Sequence, residues 1–237
     1  MIYICEFNGE LSLGRLRECA LARGLSLKEM KHEEKERQRL TAWLLLVWGL
    51  EREYGILGLR EGEIRRGKQG KPYFFRWPEI YFNLSHCRSA CACILSDREA
   101  GIDVEHRFPY KESLARRVCH EKEWELMRQS CSGEEEKACL LQALWSLKES
   151  YMKYDGRGLS IGMKNMDFSK ALQGRIRQRT EPEPILPGEA AFGETVKRRP
   201  EFLWFLSEKY SFAAAYLGER PEIRRVSEKE LLERLSQ

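Results

Sequence analysis

The sequence has no long apolar run and no leader-like start. Its longest apolar stretch, residues 42–50, is about half the length that a helix needs to cross a bilayer. The first six residues show no basic stretch followed by an apolar core, so they do not resemble a secretory signal peptide. We therefore expect a cytoplasmic protein that does not bind membranes.

Cysteine patterns that bind zinc are also missing. The chain has 8 cysteines and 4 histidines, but no Cys-x-x-Cys pair occurs and the histidines have no zinc-like spacing to the cysteines. Cys91 and Cys93 alternate within a run of small residues, as on one face of a strand. We expect the cysteines to be reduced and mostly structural, because nothing in the sequence points to secretion.

Charge of one sign is not in excess either. Lysine and arginine number 41 against 37 acidic residues, and this net charge of +4 is too small for a general nucleic-acid-binding protein. The aromatic residues do not interleave with a basic stripe, so no single-strand-binding surface is expected. With 42% hydrophobic residues, the 237-residue chain can form one large domain or two small ones.

Helical and strand patterns alternate along the chain. A long helix is predicted over residues 26–54, with Ser26 and Glu29 as a capping box at its start. The polar segment 96–99 lies between two short apolar runs and predicts an antiparallel hairpin. The predicted strands are residues 80–84, 90–95, 101–105, 202–205 and 211–217, and the other predicted helices are residues 112–118, 121–129, 134–154 and 227–236.

The order of these elements predicts an α+β protein. Strands in hairpins alternate with helices, which argues against a doubly wound parallel sheet. A helix, a loop and strands occur twice, so we expect two similar α+β halves with mixed or antiparallel sheets, at residues 1–105 and 106–237.

Two carboxylates share one face of a predicted strand. In the segment GIDVE, residues 101–105, the side chains of Asp103 and Glu105 point the same way. Carboxylates about 7 Å apart repel by roughly 2 kcal/mol at an effective dielectric near 20, and a divalent cation would remove this cost. Oxygen ligands favour Mg²⁺ or Mn²⁺ over zinc. A half-exposed edge strand with solvated acids would show the same pattern.

A second charged pair lies in the strongest helical pattern, which Gly156 is expected to end. Glu149 and Lys153 are four residues apart, so they share a helical face in the favourable order. They could form a surface ion pair worth roughly a few tenths of a kcal/mol. Alternatively, Glu149 is a third oxygen ligand of the metal ion, and the ammonium of Lys153 faces a phosphate. Lys148 points about 100° away and could reach the same anion from the side.

These segments belong to a series of motifs that occur in one order. The order resembles that of the 4′-phosphopantetheinyl transferases, specifically the large monomeric type that activates surfactin synthetase. The motifs are FNLSH at residues 82–86, GIDVE at 101–105, WSLKESYMK at 145–153 and GRGL at 156–159, with GKPY at 70–73 before them.

The resemblance implies both a fold and an enzyme. Members of this family move the 4′-phosphopantetheine arm of coenzyme A onto a serine of an acyl or peptidyl carrier protein and release adenosine 3′,5′-bisphosphate. Their fold is a pseudo-dimer of two α+β halves, which agrees with the halves predicted above and implies a monomer. The alternatives are a metal-dependent hydrolase of coenzyme A or nucleotide pyrophosphates, and a coenzyme A-binding protein without activity.

The resemblance also implies roles for individual residues. Glu149 would accept the serine proton, and Lys153 would neutralise charge on the leaving bisphosphate. The implied ligands of Mg²⁺, or alternatively Mn²⁺, are Asp103, Glu105 and Glu149. The implied coenzyme A contacts are Arg39, Lys71, Ser85, His86, Lys148 and Lys153, with Arg23 and Lys28 as further candidates for its 3′-phosphate.

Two positions depart from the family pattern. Cys87 follows the FNLSH motif where a serine is common, and Cys119 stands where an aromatic residue is often found in the turn before Glu123. The second departure would alter the carrier-facing surface. The candidates for that surface are Leu114, Val118 and Trp124, and an ordinary core helix explains them equally well.

Overall fold

Two four-stranded sheets and two long helices form four layers in the computed structural model, which describes residues 1–235 except 10, 26, 29, 61, 176–180, 187 and 194–198. The two sheets face each other across an apolar core to which Ile4, Ile94, Ile102 and Phe212 contribute. Each sheet packs its other face against one long helix, and this produces a second and a third apolar core.

The element bounds follow the predicted patterns over most of the chain. The helices are Leu13–Ala22 (α1), Glu33–Tyr54 (α2), Glu112–Val118 (α3), Glu121–Ser130 (α4), Glu134–Asp155 (α5), Ser169–Leu172 (α6) and Glu228–Leu235 (α7), with short 3₁₀ turns at Gly158–Ile161 and Met163–Asn165. The strands are Ile2–Glu6 (β1), Ile64–Arg66 (β2), Pro72–Phe74 (β3), Tyr81–His86 (β4), Ala90–Ser96 (β5), Gly101–His106 (β6), Met166–Asp167 (β7), Glu183–Ile185 (β8), Ala191–Phe192 (β9), Glu201–Leu206 (β10), Tyr210–Tyr216 (β11) and Ile223–Arg225 (β12).

The two large sheets repeat one order of elements. The first sheet has the strand order β12-β1-β5-β4, and the second has the order β6-β11-β10-β8. In each sheet a single strand is followed along the chain by a long helix and then by a hairpin, whose second strand pairs antiparallel with the single strand. The α+β class is confirmed. The repeated order is consistent with two similar halves, which stay a prediction.

The hairpin predicted between residues 90–95 and 101–105 is wrong. β5 pairs with β1 and β4 in the first sheet, whereas β6 pairs with β11 in the second. The segment between them therefore crosses from one sheet to the other. The physical reason is that both strands are buried on both faces, and side by side they could not close the apolar core between the sheets.

The two long helices begin and end where the chain supplies the right residues. α2 begins at Glu33 rather than residue 26, and three glutamates in its first turn favour the positive end of the helix dipole. The predicted cap residues Ser26 and Glu29 lie outside the described residues. α5 ends at Gly156, whose φ of +83° is the left-handed geometry that was predicted there. The sequence patterns gave no indication of α1.

Two strands, β6 and β12, pair in the sheet that is formed mainly by the other predicted half. The division at residue 105 stays a prediction, but β6 before it pairs in the second sheet, and β12 returns to pair with β1 in the first.

All eight cysteines are free thiols, and Cys91 and Cys93 do share one buried face of β5, toward α2. Among the described helices, none is long and apolar enough to cross a membrane.

Candidate functional site

The candidate site lies on a seam where β4 of one sheet runs beside β6 of the other. β6 is the edge strand of its sheet, and side chains of β4 satisfy its free backbone groups. Asn83 accepts from the N–H of Ile102 at 3.0 Å, and Ser85 accepts from the N–H of Val104 at 3.1 Å. Alternate residues of the FNLSH motif thus join the two sheets.

A glycine brings the helix α5 close to this seam. A Cβ atom on Gly101 would lie 2.1 Å from the carbonyl oxygen of Ser150, so only glycine lets α5 lie directly on β6. Ile102 and Val104 enter the core between the sheets, which leaves the alternate side chains of Asp103 and Glu105 on the face toward α5. The predicted shared face is confirmed.

Asp103 is the most enclosed of the predicted metal ligands, with 1% of its surface exposed. Its Oδ1 accepts from Lys153 Nζ at 2.8 Å and from the hydroxyl of Ser85 at 3.2 Å. Within the described part of the chain, its Oδ2 is buried and has no hydrogen-bond partner. A buried carboxylate oxygen without a partner is costly in a folded protein, and a bound cation would satisfy it.

Glu105 and Glu149 are close enough to Asp103 to interact electrostatically with its carboxylate. Burial, and next the charge of Asp103, raise the pKa of Glu105 to about 7. Burial and Asp103 also raise the pKa of Glu149. The indole Nε1 of Trp145 donates to Glu105 Oε1 at 3.3 Å, which holds one oxygen of that carboxylate. This tryptophan opens the helical motif, but its sequence context predicted no role for it in the site.

The donor set fits a hard divalent cation, although no closed metal site is formed. Within the described ranges, no three His, Cys, Asp or Glu side chains cluster tightly enough to hold a metal ion. Carboxylates without a cation repel one another, and Lys153 lies on Asp103. Mg²⁺ and Mn²⁺ bind oxygen ligands, and the three carboxylates, including the unpartnered Oδ2 of Asp103, could provide them. The metal-ligand assignment stays a prediction.

His86 and Arg39 lie within electrostatic reach of this cluster. The pKa of His86 is lowered by desolvation, then by the positive charges of Lys153 and Arg39. Arg39, in α2, donates to the carbonyl oxygen of Lys28, and its buried Nε has no partner among the described residues. The imidazole of His86 and the partly free guanidinium of Arg39 leave donors available for an anion.

Lys71 ties the β2–β3 ribbon to the end of α5. Its Nζ forms an ion pair with Glu99 at 2.6 Å and donates to the carbonyl oxygens of Ala100 at 3.2 Å and Tyr154 at 3.1 Å. The ammonium therefore lies where the strand β6 begins and α5 ends. Its predicted contact with coenzyme A stays a prediction.

The position of Lys148 does not support its predicted contact with coenzyme A. Its ammonium is fully buried, 2.5 Å from Glu123 Oε2 and 2.8 Å from the carbonyl oxygen of Val118. Since an α-helix turns about 100° per residue, Lys148 faces α3 and α4 while its neighbour Glu149 faces β6. Burial lowers the pKa of Lys148 and raises that of Glu123, and the ion pair opposes both shifts.

Arg23 is likewise engaged away from the site. Its guanidinium donates to the carbonyl oxygen of Leu57 at 2.9 Å, lies 3.6 Å from Glu51, and reaches the end of α7 at Leu235. These contacts fasten α7 to α1 and α2. They do not support the suggested contact with a 3′-phosphate.

The predicted carrier-facing surface is only partly exposed. Val118 is 1% exposed and belongs to the apolar core, so it is not a surface residue. Leu114 and Trp124 are partly buried and pack against that core. A groove of about 720 Å³ lies beside them, and its lining includes Arg116, Cys119, His120, Glu121, Trp124 and Lys164.

Two residues were given no role from the sequence: Asn83, which belongs to the site, and Glu123, the buried partner of Lys148 outside it. Asn83 stands two positions before Ser85 in the FNLSH motif, and that spacing on a strand is the signal that would have found it. Glu123 completes a capping box with His120 at the start of α4, and the spacing of these two residues is visible in the sequence. Its pairing with Lys148, 25 positions along the chain, is not.

Comparison with known proteins agrees with the motifs. Residues 99–215 match the 4′-phosphopantetheinyl transferase superfamily. The chain is 28% identical over 147 residues to 4′-phosphopantetheinyl transferase Sfp of Bacillus subtilis (strain 168), which covers 61% of this chain and 63% of that protein. It is 30% identical over 122 residues to 4′-phosphopantetheinyl transferase gsp of Aneurinibacillus migulanus, covering 51% and 50%. The matches to these relatives thus span less than two thirds of their lengths. The match to the superfamily includes β6, α5, β10 and most of β11. The predicted resemblance to the 4′-phosphopantetheinyl transferases is confirmed.

Proposed function

We propose that this protein transfers the 4′-phosphopantetheine arm of coenzyme A to a serine of an acyl or peptidyl carrier protein. The observation that carries the proposal is the meeting of Asp103, Glu105, Glu149 and Lys153 at one junction of β6 and α5, within the segment that matches the superfamily. A cytoplasmic location, a monomeric state and the lack of nucleic-acid or membrane partners stay predictions.

The chemistry follows from the charges at this junction. The serine oxygen would bond to the β-phosphorus of coenzyme A while the pyrophosphate bond breaks, so that adenosine 3′,5′-bisphosphate leaves. Mg²⁺ or Mn²⁺, held by Asp103, Glu105 and Glu149, would supply charge stabilisation on the phosphate oxygens. Lys153 would neutralise charge on the leaving group. Glu149, whose pKa is raised by burial, would accept the serine proton.

The first test is intact-mass analysis of apo carrier proteins incubated with this protein, coenzyme A and Mg²⁺. A metal-dependent gain of roughly 340 Da on the carrier, the covalent mass of the arm, is expected, and an EDTA control should abolish it. Cleaved coenzyme A beside an unmodified carrier would establish the hydrolase instead. Bound, intact coenzyme A with no modification of several apo carriers would establish a binding protein.

Lys153→Met should have opposite effects on transfer and on cation binding. The ammonium lies 2.8 Å from Asp103 and opposes a cation on the same carboxylate. Two unit charges about 4 Å apart interact by roughly 4 kcal/mol at an effective dielectric of 20, so a tenfold gain in Mn²⁺ affinity is a conservative expectation. Transfer should fall by about two orders of magnitude, because charge on the leaving group is no longer neutralised.

The Lys153→Met measurement has a simple control. Mn²⁺ affinity is followed by electron paramagnetic resonance of the free ion, without coenzyme A, and transfer is followed by intact mass. Lys209→Met removes an exposed lysine in the β10–β11 turn and should change neither quantity. Weaker Mn²⁺ binding in Lys153→Met would show that the lysine supports the cation site rather than competing with it.

A further inference from the structure

The turn between β4 and β5 is fastened to the end of β6 by a histidine. His106 Nε2 lies 2.5 Å from a terminal nitrogen of Arg88, and its Nδ1 lies 2.6 Å from the hydroxyl oxygen of Ser89. An arginine can only donate, so Nε2 is the acceptor and the ring proton is on Nδ1. The hydroxyl of Ser89 therefore accepts from His106 and keeps its own proton for another acceptor. Together these three residues form a donor corner.

The donor corner has no anion of its own. Arg88 is exposed and uses one terminal nitrogen within the corner, which leaves the other N–H donors of its guanidinium for a ligand. It forms no ion pair with a carboxylate in the described part of the chain. Glu6, at the end of the adjacent strand β1, is already bound by Arg225 at 3.0 Å and by Tyr210 at 2.9 Å.

The turn that carries these donors is held by its own backbone. The N–H of Cys87 donates to the carbonyl oxygen of Ala90 at 2.8 Å, and the N–H of Ser89 donates to Cys87 Sγ at 3.4 Å. The carbonyl oxygen of Ser89 accepts from the N–H of Phe7 at 2.9 Å. An anion that binds here therefore meets donors that are already in position, which reduces the entropy lost on binding.

The donor corner lies next to the candidate site but on the other face of β6. Ser85 bonds to the backbone of Val104 along the seam, and the turn after β4 meets His106 one step further along both strands. Since side chains alternate along a strand, His106 lies on the face opposite Asp103 and Glu105. A group bound at the corner is therefore a neighbour of the phosphate held beside those carboxylates, and not that phosphate itself.

We propose that the donor corner binds a carboxylate of the carrier protein, from a residue that flanks the target serine. This inference rests on the proposed function, and it narrows the substrate to carriers with an acidic residue beside that serine. A carboxylate matches the corner because it can only accept hydrogen bonds. Its bond to a guanidinium is roughly twice as strong as a hydrogen bond between neutral groups.

The test measures carrier binding separately from transfer. A fluorescently labelled apo acyl carrier protein with an acidic residue beside its target serine is titrated with this protein, without coenzyme A, and anisotropy gives the dissociation constant. Arg88→Gln should weaken carrier binding by about tenfold, the loss expected for one charge-assisted hydrogen bond. Arg98→Gln is the matched control. It removes an exposed arginine beyond the opposite end of β5, and carrier binding should be unchanged. Unchanged carrier binding in Arg88→Gln would overturn the proposal.

An exchange of charges identifies the carboxylate. Replacing the acidic residue of the carrier by lysine should weaken binding to the wild type by about tenfold, but should not weaken binding to Arg88→Gln further. Arg88→Glu should bind the lysine carrier more tightly than the acidic one, because the charges are again opposite. Additive losses from the two substitutions would contradict the proposal, since they would show that the two groups do not interact.

The remaining outcomes separate the carrier contact from the proposed function. Coenzyme A affinity of Arg88→Gln, measured by calorimetry, should stay within about twofold of the wild type. A loss of coenzyme A affinity with unchanged carrier binding would assign the corner to a coenzyme phosphate instead. A wild-type protein that binds no such carrier would overturn the proposal as well. A wild-type protein that binds the carrier through Arg88, yet transfers no arm by intact mass, would retain the carrier contact and refute the transferase.

Discussion

Asp103→Asn is expected to reduce carrier modification by about a thousandfold while the protein stays folded. The substitution keeps the shape of the side chain, so the donors around it decide which way the amide turns. Ser85 and Lys153 both donate toward Oδ1, so the amide oxygen must take that side. The amide NH₂ then occupies the position of Oδ2, where it presents hydrogens instead of a lone pair to a divalent cation.

The cation-binding measurement makes this prediction specific. Mn²⁺ affinity of Asp103→Asn, without coenzyme A, should fall by at least about tenfold, because a carboxylate ligand of the cation is lost. Asp97→Asn is the matched control, since Asp97 lies in the loop between β5 and β6 with a side chain that is 84% exposed. Asp103→Asn that retains more than about a tenth of the transfer rate would contradict the assignment of Asp103 as a cation ligand.

The parts of the site that the sequence predicted are those that depend on local periodicity. Strand alternation alone puts Asp103 and Glu105 on one face, and the structure shows both directed to α5. The four-residue spacing of Glu149 and Lys153 put both on one helical face, and each lies within electrostatic or hydrogen-bond reach of Asp103. In each case the side-chain period of a single strand or helix was sufficient to predict which two residues share a face.

Features that depend on the partner of an element could not be predicted in this way. The period of α5 shows that Lys148 and Glu149 point about 100° apart, but not which of the two faces the site. That is decided by Glu123, which lies on another helix and buries Lys148. Likewise, the apolar runs of β5 and β6 predicted strands correctly, but whether the two pair depends on the core between the sheets, to which both contribute.

The Lys148–Glu123 pair also carries the largest expected effect on stability. Both side chains are fully buried, 2.5 Å apart. Glu123 further accepts from the backbone N–H groups of His120 at 2.7 Å and Phe168 at 2.8 Å, so it joins α4 to the segment after β7. Lys148→Met would leave this carboxylate buried without its cation. Removing one member of a buried ion pair typically costs about 3–5 kcal/mol, and we expect a loss of unfolding free energy in that range.

A double-mutant cycle in urea, monitored by tryptophan fluorescence, measures this coupling. Lys148→Met combined with Glu123→Gln should be more stable than Lys148→Met alone, because no unpaired charge is then buried. It should remain less stable than the wild type, since the two backbone N–H groups donate to different oxygens of the carboxylate and the glutamine amide keeps only one of these acceptors. Lys122→Met is the control. That lysine is 72% exposed on the first turn of α4, and its removal should change stability by less than about 0.5 kcal/mol.

The same variants decide between the two roles of Lys148. If its role is structural, the folded double variant should bind coenzyme A as the wild type does, because the buried ammonium faces α3 and α4 rather than the seam between β4 and β6. A Lys148→Met protein of unchanged stability that binds coenzyme A at least about tenfold more weakly would reverse this conclusion. It would mean that the ammonium leaves Glu123 when coenzyme A binds. The family resemblance would then have identified the function of Lys148 more accurately than its position in the structure does.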